Sequence, residues 1–308
     1  MHQKKLEEMT QKPALFYALL VVAMMTWGIS WASGKFVSGQ AIPEVLLFWR
    51  FLFTVIGLIP VVYLFEKGWK IGRESLIYVI VGGIIMSFYN YLFFQGLRSG
   101  LAGAGGVLVT TMNPLFTFVI TSVLLKYRPV KKEIAGLLLG LAGGLIMIRF
   151  WRLSVHDLIA SGNLFLVGAS LIWVYMTLVS QYAGKSVSAL KFSLYVHGVA
   201  ALISFFLAST SDWTGVFQFS SAFWLNILYL SIISTTFGTT VYFAASQKLG
   251  SKVASSFIFI VPLTALLSGI LFLEETPDTV LLGGGSLSLM AVYLLNSTKG
   301  NKRVPLES

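Results

Sequence analysis

The chain of 308 residues contains no cysteine, which excludes a disulfide framework, thiolate catalysis and cysteine-based metal sites. It is poor in charge as well: Asp, Glu, Lys and Arg make up 11% of it, against about a quarter in an ordinary soluble domain. Acid is the scarcer sign, with 12 Asp and Glu against 22 Lys and Arg. None of these carboxylates lies at the centre of an apolar run; Glu44 alone sits at the mouth of one. The three histidines are scattered and there is no His-Glu-x-x-His, so no metal site is expected. Gly184-Lys185-Ser186 resembles the end of a P-loop, but position 179 is valine where the first glycine belongs. Gly103-Ala104-Gly105-Gly106 opens an apolar run without a preceding strand or a full dinucleotide fingerprint. The chain is therefore not read as an enzyme or a primary ATP-driven pump, and no cofactor is expected.

What is present is apolar: 56% of the residues, in blocks of about 20. At about 1.5 Å per helical residue, such a block crosses a hydrocarbon layer of about 30 Å. The runs fall at 15–36, 44–65, 75–97, 101–125, 133–150, 161–182, 189–209, 222–246, 253–273 and 279–297. Membrane strands would instead show alternating segments of about ten residues. The first run lacks a small-residue cleavage site and is read as a span. The expected fold class is an all-α integral membrane protein with ten transmembrane helices.

The basic residues orient it. With the N-terminus inside, seventeen of the 22 fall in cytoplasmic segments, including Lys4, Lys5, Lys67, Lys70, Lys126, Lys131 and Arg303. Lys35, Arg98, Arg149 and Arg152 sit at outer boundaries, and Arg50 lies within a span. This bias places both termini (1–14 and 298–308) in the cytoplasm. It also accounts for the net charge of +10 without a nucleic-acid partner.

The two halves, 15–150 and 161–297, resemble each other. Gln95-Gly96-Leu97-Arg98-Ser99-Gly100-Leu101-Ala102 reads against Gln247-Lys248-Leu249-Gly250-Ser251-Lys252-Val253-Ala254, and Asn113-Pro114-Leu115 against Val261-Pro262-Leu263. Five helices per copy, an odd number, require the second copy to enter the membrane in the opposite sense. The turn at Lys126-Tyr127-Arg128 is basic, whereas its counterpart Glu274-Glu275-Thr276 is acidic, as inversion predicts. Inverted repeats are common in secondary transporters, which hold substrate near the midplane between the halves.

Thr26-Trp27-Gly28 with Lys35, Arg50-Phe51, and the Gly/Ala-rich fourth run carrying Pro114 resemble an EamA repeat. Two such repeats are similar to the permeases of the drug/metabolite transporter superfamily. The resemblance covers about residues 15–297 and implies a multi-pass protein of the cell inner membrane that exports or exchanges amino acids and related metabolites. The first copy has Lys126-Tyr127 where most EamA repeats place Gly-Glu, so no role is carried over for that acid.

Polar residues within the runs are the site candidates. Arg50 lies about 9 Å inside the second run. It could bind a carboxylate or phosphate on substrate, or latch the helix to backbone carbonyls or to Glu44. Lys35 could contact an anionic substrate or snorkel to the interface. His197 is the one candidate for proton coupling; its alternative is a neutral imidazole bonded to a neighbouring helix. Helical stripes are expected at Thr110, Asn113, Thr117 and Thr121; at Ser87, Asn90, Tyr91 and Phe94; at Ser170, Trp173, Thr177 and Gln181; and at Thr235, Gly238, Thr239 and Tyr242. From these, Asn90, Asn113, Trp27, Trp173 and Tyr242 are expected to line a central cavity. Pro114 and Pro262 interrupt helices four and nine and are read as gating breaks. Gly136, Gly140 and Gly144 recur every fourth residue and are read as a packing or dimer-contact face. The expected function is secondary transport of small organic metabolites by alternating access, as a monomer or homodimer. A channel, a scaffolding membrane protein and an intramembrane enzyme are the alternatives.

Overall fold

The computed structural model describes residues 13–99, 102–124, 129–147, 149–152, 154, 162–264 and 279–297. Among the described residues the regular structure is entirely helical. In chain order it comprises α1 (Pro13–Ser38), α2 (Pro43–Phe65), α3 (Arg73–Ser99), α4 (Ala102–Leu124) and α5 (Lys131–Met147). There follow α6 (Asn163–Ala183), α7 (Ala189–Ala208), α8 (Ser221–Leu249), α9 (Ser251–Thr264) and α10 (Thr279–Ser297). The starts and stops follow local chemistry. Pro43 opens α2, where its missing N–H costs nothing. Ser188 caps α7 by accepting from the Lys191 amide. Gly250, at φ 89°, turns the chain sharply between α8 and α9, a conformation that side chains resist.

Six stretches are long and apolar enough to cross a membrane: Ala14–Ser38, Pro43–Phe65, Arg73–Ser99, Leu164–Ala183, Ala189–Ala208 and Ser221–Leu249. Val109–Leu124 and Ser251–Thr264 are shorter apolar helices. The outward faces carry large exposed hydrocarbon side chains, such as Ile84 at 53% and Phe206 at 63%. Water would not tolerate so much exposed apolar surface, whereas lipid matches it. The chain is a multi-pass, all-α membrane protein.

The helices pair across the two halves. α3 packs on α6 and α8 on α1; α3 also meets α7, as α8 meets α2; α4 lies on α6 and α9 on α1. α2 faces α7, α4 faces α9, and α5 lies along α10. The α5–α10 contact depends on glycine. A Cβ on Gly143 would come within 2.6 Å of the Gly284 carbonyl and 2.8 Å of Ser288 Oγ. Gly136 lies against Leu294 and Leu295, Gly140 against Phe259, and Gly144 against Thr111. The expected glycine face is thus occupied from within the chain. Those three positions are filled by its own helices and are not open to a second copy.

Two helices depart from α geometry. Tyr229–Thr239, within α8, is a π-helix. The Thr235 hydroxyl accordingly reaches back five residues to the Leu230 carbonyl (2.7 Å), and Thr239 to that of Ser234 (3.5 Å). The segment is clasped by α1 and α2. A Cβ on Gly238 would meet Thr26 Oγ1 at 2.8 Å, and one on Gly57 would meet Ile232 Cδ1 at 2.6 Å. In α9, Phe257–Ile260 is a 3-10 turn. Pro262 has no N–H to offer the Ile258 carbonyl, and the Val261 amide takes that carbonyl from one residue closer.

Candidate functional site

At the centre lies a cavity walled by α1, α2, α3, α4, α6, α8 and α9. Arg50, at 8% exposure, supplies its charge. Nη1 donates to Asn90 Oδ1 on α3 (2.9 Å), while Nε and Nη2 both donate to Thr235 Oγ1 on the π segment (3.2 and 3.1 Å). The partners are themselves oriented. Asn90 Nδ2 donates to the Met86 carbonyl (2.9 Å), and the Thr235 hydroxyl proton goes to Leu230, leaving its lone pairs for the guanidinium. The Arg50 carbon lies 5.8 Å from the Phe93 ring centre and 5.6 Å from that of Phe94. Among the described lining residues there is no Asp or Glu. Arg50 thus ties α2 to the side chains of Asn90 and Thr235, not to the backbone carbonyls or Glu44 that the latch expectation named, while still bordering the cavity.

The remaining wall is aromatic. Trp27 Nε1 donates to the Ser234 carbonyl (3.1 Å), fixing the indole against the π segment. Trp173 meets Trp27 edge-on at 5.2 Å and lies 4.6 Å from the Tyr89 ring; its Nε1 makes no hydrogen bond. Trp31 packs on Phe93 at 5.1 Å. Asn113 Nδ2 donates to the Ser170 carbonyl (3.0 Å) and Ser170 Oγ to that of Val109 (3.1 Å), tying α4 to α6 beside the cavity. Of the residues singled out in the sequence, Trp27, Arg50, Asn90, Asn113 and Trp173 are brought together as lining. Pro114 follows Asn113 directly, and Pro262 follows the lining residue Val261.

The others lie elsewhere. Tyr242 is buried behind the wall: its hydroxyl pairs with Thr177 (2.9 Å), and its ring backs Trp27 and Trp173 at 5.1 and 5.6 Å. His197 is not a lining residue. Its Nδ1 lies 2.7 Å from the Ser193 carbonyl on its own helix, and the ring sits between Phe51 and Phe243. Lys35 donates to the Leu97 carbonyl (2.7 Å) in the last turn of α3, where a cation complements the helix end. Lining residues that polarity could not reveal include Trp31, Met86, Tyr89, Phe93, Ile258 and Val261. Those on α3 sit four and one before and three after Asn90, so helical spacing from that residue points to them.

A membrane-embedded helical bundle with a mostly apolar central cavity is the form expected of a permease. The EamA-like transporter family matches the chain twice, over residues 14–149 and 160–297, and the chain belongs to that family. An uncharacterized transporter of Bacillus subtilis, YyaM, is 23% identical, over 86% of this chain and 87% of its own length. A Salmonella typhimurium protein named a probable amino-acid metabolite efflux pump is 22% identical, over 91% of this chain and 93% of its own. A crystal structure at 17% identity shares the fold with a TM-score of 0.73, covering 92% of this chain and 98% of that one.

Proposed function

We propose that the chain is a secondary transporter that exports or exchanges small organic metabolites, amino acids and related compounds first among them. The carrying observation is the cavity, bounded by helices of both halves and holding a buried cation and indole walls. Alternating access would come from rocking one five-helix half against the other. The proposal keeps ten spans in two repeats of inverted sense, and the pairing pattern supports the repeat itself: exchanging the halves turns α3–α6 into α8–α1, α3–α7 into α8–α2 and α4–α6 into α9–α1. The π segment of α8 and the 3-10 turn before Pro262 are natural places to flex, since both depart from α-helical hydrogen bonding next to the cavity. The amino-acid reading draws on the printed name of the Salmonella relative. The distribution of Lys and Arg supports cytoplasmic placement of both termini, and the proposal sets the chain in the cell inner membrane as a monomer or homodimer. The test is counterflow in proteoliposomes with a panel of amino acids and organic acids. Saturable exchange of at least one of them is expected; none across the whole panel would overturn the proposal.

A further inference from the structure

We infer that the transporter runs as an exchanger, because in the empty cavity Arg50 and Thr235 tie the two halves together and a solute carboxylate releases them. This rests on the cavity being the transport site and names the mode of transport through it. Arg50 stands on α2 in the first half, and Thr235 on the π segment of α8 in the second. Both line the cavity, as does Asn90. Nε and Nη2 of the guanidinium form a side-on fork, and both donate to the single Oγ1 of Thr235, at 3.2 and 3.1 Å. Nη1 donates to Asn90 Oδ1 at 2.9 Å. Asn90 lies on α3, in the same half as α2, so that bond survives when one half moves against the other. The bonds to Thr235 do not.

Among the described residues, the remaining side-chain bonds between the π segment and the first half are neutral. Trp27 donates to the Ser234 carbonyl (3.1 Å), Tyr229 to that of Thr26 (2.9 Å), Thr54 to that of Ser231 (3.3 Å) and Thr236 to that of Thr54 (3.3 Å). Neutral bonds of this kind exchange partners at small net cost. A guanidinium withdrawn from water needs acceptors throughout. Among the described lining residues no Asp or Glu stands ready to replace Thr235. A solute carboxylate can do so. One neutral oxygen shared between two N–H groups underuses the fork, whereas a carboxylate offers an oxygen to each, with charge assistance. Its arrival frees Thr235, whose hydroxyl keeps its own bond to the Leu230 carbonyl (2.7 Å). The loaded protein therefore crosses between inward and outward forms faster than the empty one. After solute leaves on one side, the return is fast only with another carboxylate aboard, which is exchange.

The experiment uses the full chain in proteoliposomes, loaded in turn with each labelled member of the amino-acid and organic-acid panel, phenylalanine, leucine, glutamate and pyruvate included. Efflux is timed into plain buffer and into buffer holding the same unlabelled solute. For each solute that moves, efflux into unlabelled solute is expected to be at least about tenfold faster, the order of change that lost hydrogen bonds to a charged group produce. Thr235→Val should bring that ratio below about threefold by speeding efflux into plain buffer, whereas a merely structural defect would slow both modes. Thr235→Ser, which keeps the hydroxyl, should restore the parental ratio. Thr236→Val removes a neutral bond across the same contact and should leave the ratio unchanged. Equal rates into the two buffers would overturn the inference while leaving transport intact. A folded Thr235→Val protein that keeps the parental ratio, or a Thr236→Val protein that loses it equally, would also overturn it. If Thr235→Val does not fold, the parental ratio decides. Saturable efflux of no panel member in either mode would overturn the transport reading itself.

Discussion

Replacing Asn90 with aspartate separates the charge of the cavity from its architecture. In the parent, Asn90 Oδ1 accepts from Arg50 Nη1 at 2.9 Å, so the substitution keeps the acceptor and adds a full negative charge in the same place. At about 4 Å between charge centres and an effective dielectric near 20, the attraction is about 4 kcal/mol. Against it stand the desolvation of a buried carboxylate, several kcal/mol, and loss of the Asn90 Nδ2 bond to the Met86 carbonyl, about 1 kcal/mol. These terms nearly cancel, so thermal unfolding in detergent should change little. The anion site, however, loses its cation to the new carboxylate. A substrate carboxylate then forfeits much of that attraction, and its apparent affinity should fall at least a hundredfold, about 2.7 kcal/mol. Both are measurable on one preparation, by thermal unfolding and by counterflow of a carboxylate solute that the parent exchanges. An Asn90→Asp protein that stays folded and exchanges that solute with parental affinity would refute a role for Arg50 in holding the solute's carboxylate.

Three further substitutions probe the supports. Thr235→Val removes the oxygen that receives two Arg50 bonds, with little change in volume; thermal unfolding should show a loss of about 1.5–3 kcal/mol, the worth of hydrogen bonds to a charged group, whereas Thr117→Val, whose bond to Asn113 is long at 3.5 Å, should cost under about 1 kcal/mol. Gly143→Leu should disrupt the α5–α10 contact and abolish monodisperse expression, because the Gly284 backbone cannot yield, while Gly198→Ala, with nothing within 4 Å of a new Cβ, should be neutral or stabilising by up to about 1 kcal/mol. Lys35→Met should cost about 1 kcal/mol through the lost bond to the Leu97 carbonyl and leave solute affinity in counterflow unchanged.

The apolar runs made the helices legible in the sequence because lipid demands long uninterrupted hydrocarbon, and α5 at Lys131–Met147 falls close to the run expected at 133–150. Asn90 and Asn113 were legible as lining because polar groups stand out in such runs. Trp31, Tyr89, Phe93 and Val261 were not, since an apolar side chain facing a cavity is written in the same letters as one facing lipid: Phe88 is exposed on the outer surface, and Tyr89 beside it lines the cavity. The face expected on α3, through Ser87, Tyr91 and Phe94, leaned to the wrong side of Asn90. The same limit applied to α8, where stripes were drawn at α-helical spacing. In the π segment the five-residue step from Ser234 to Thr239 brings both to the cavity, and Tyr242 falls behind the wall. His197 shows the reverse case: it is polar within a span, yet it bonds to Ser193 of its own helix.

The absence of cysteine allows the most direct test of the central claim, that this cavity is the solute's route. Ser170→Cys places one thiol on the wall, and Ile84→Cys places another on the lipid-facing surface as a control. In sealed vesicles the Ser170→Cys protein should react with a membrane-impermeant maleimide from one face, the reaction should slow when the exchanged solute is present, and the Ile84→Cys protein should not react. A Ser170→Cys thiol that is unreactive from both faces, or whose rate ignores the solute that drives counterflow, would contradict the account.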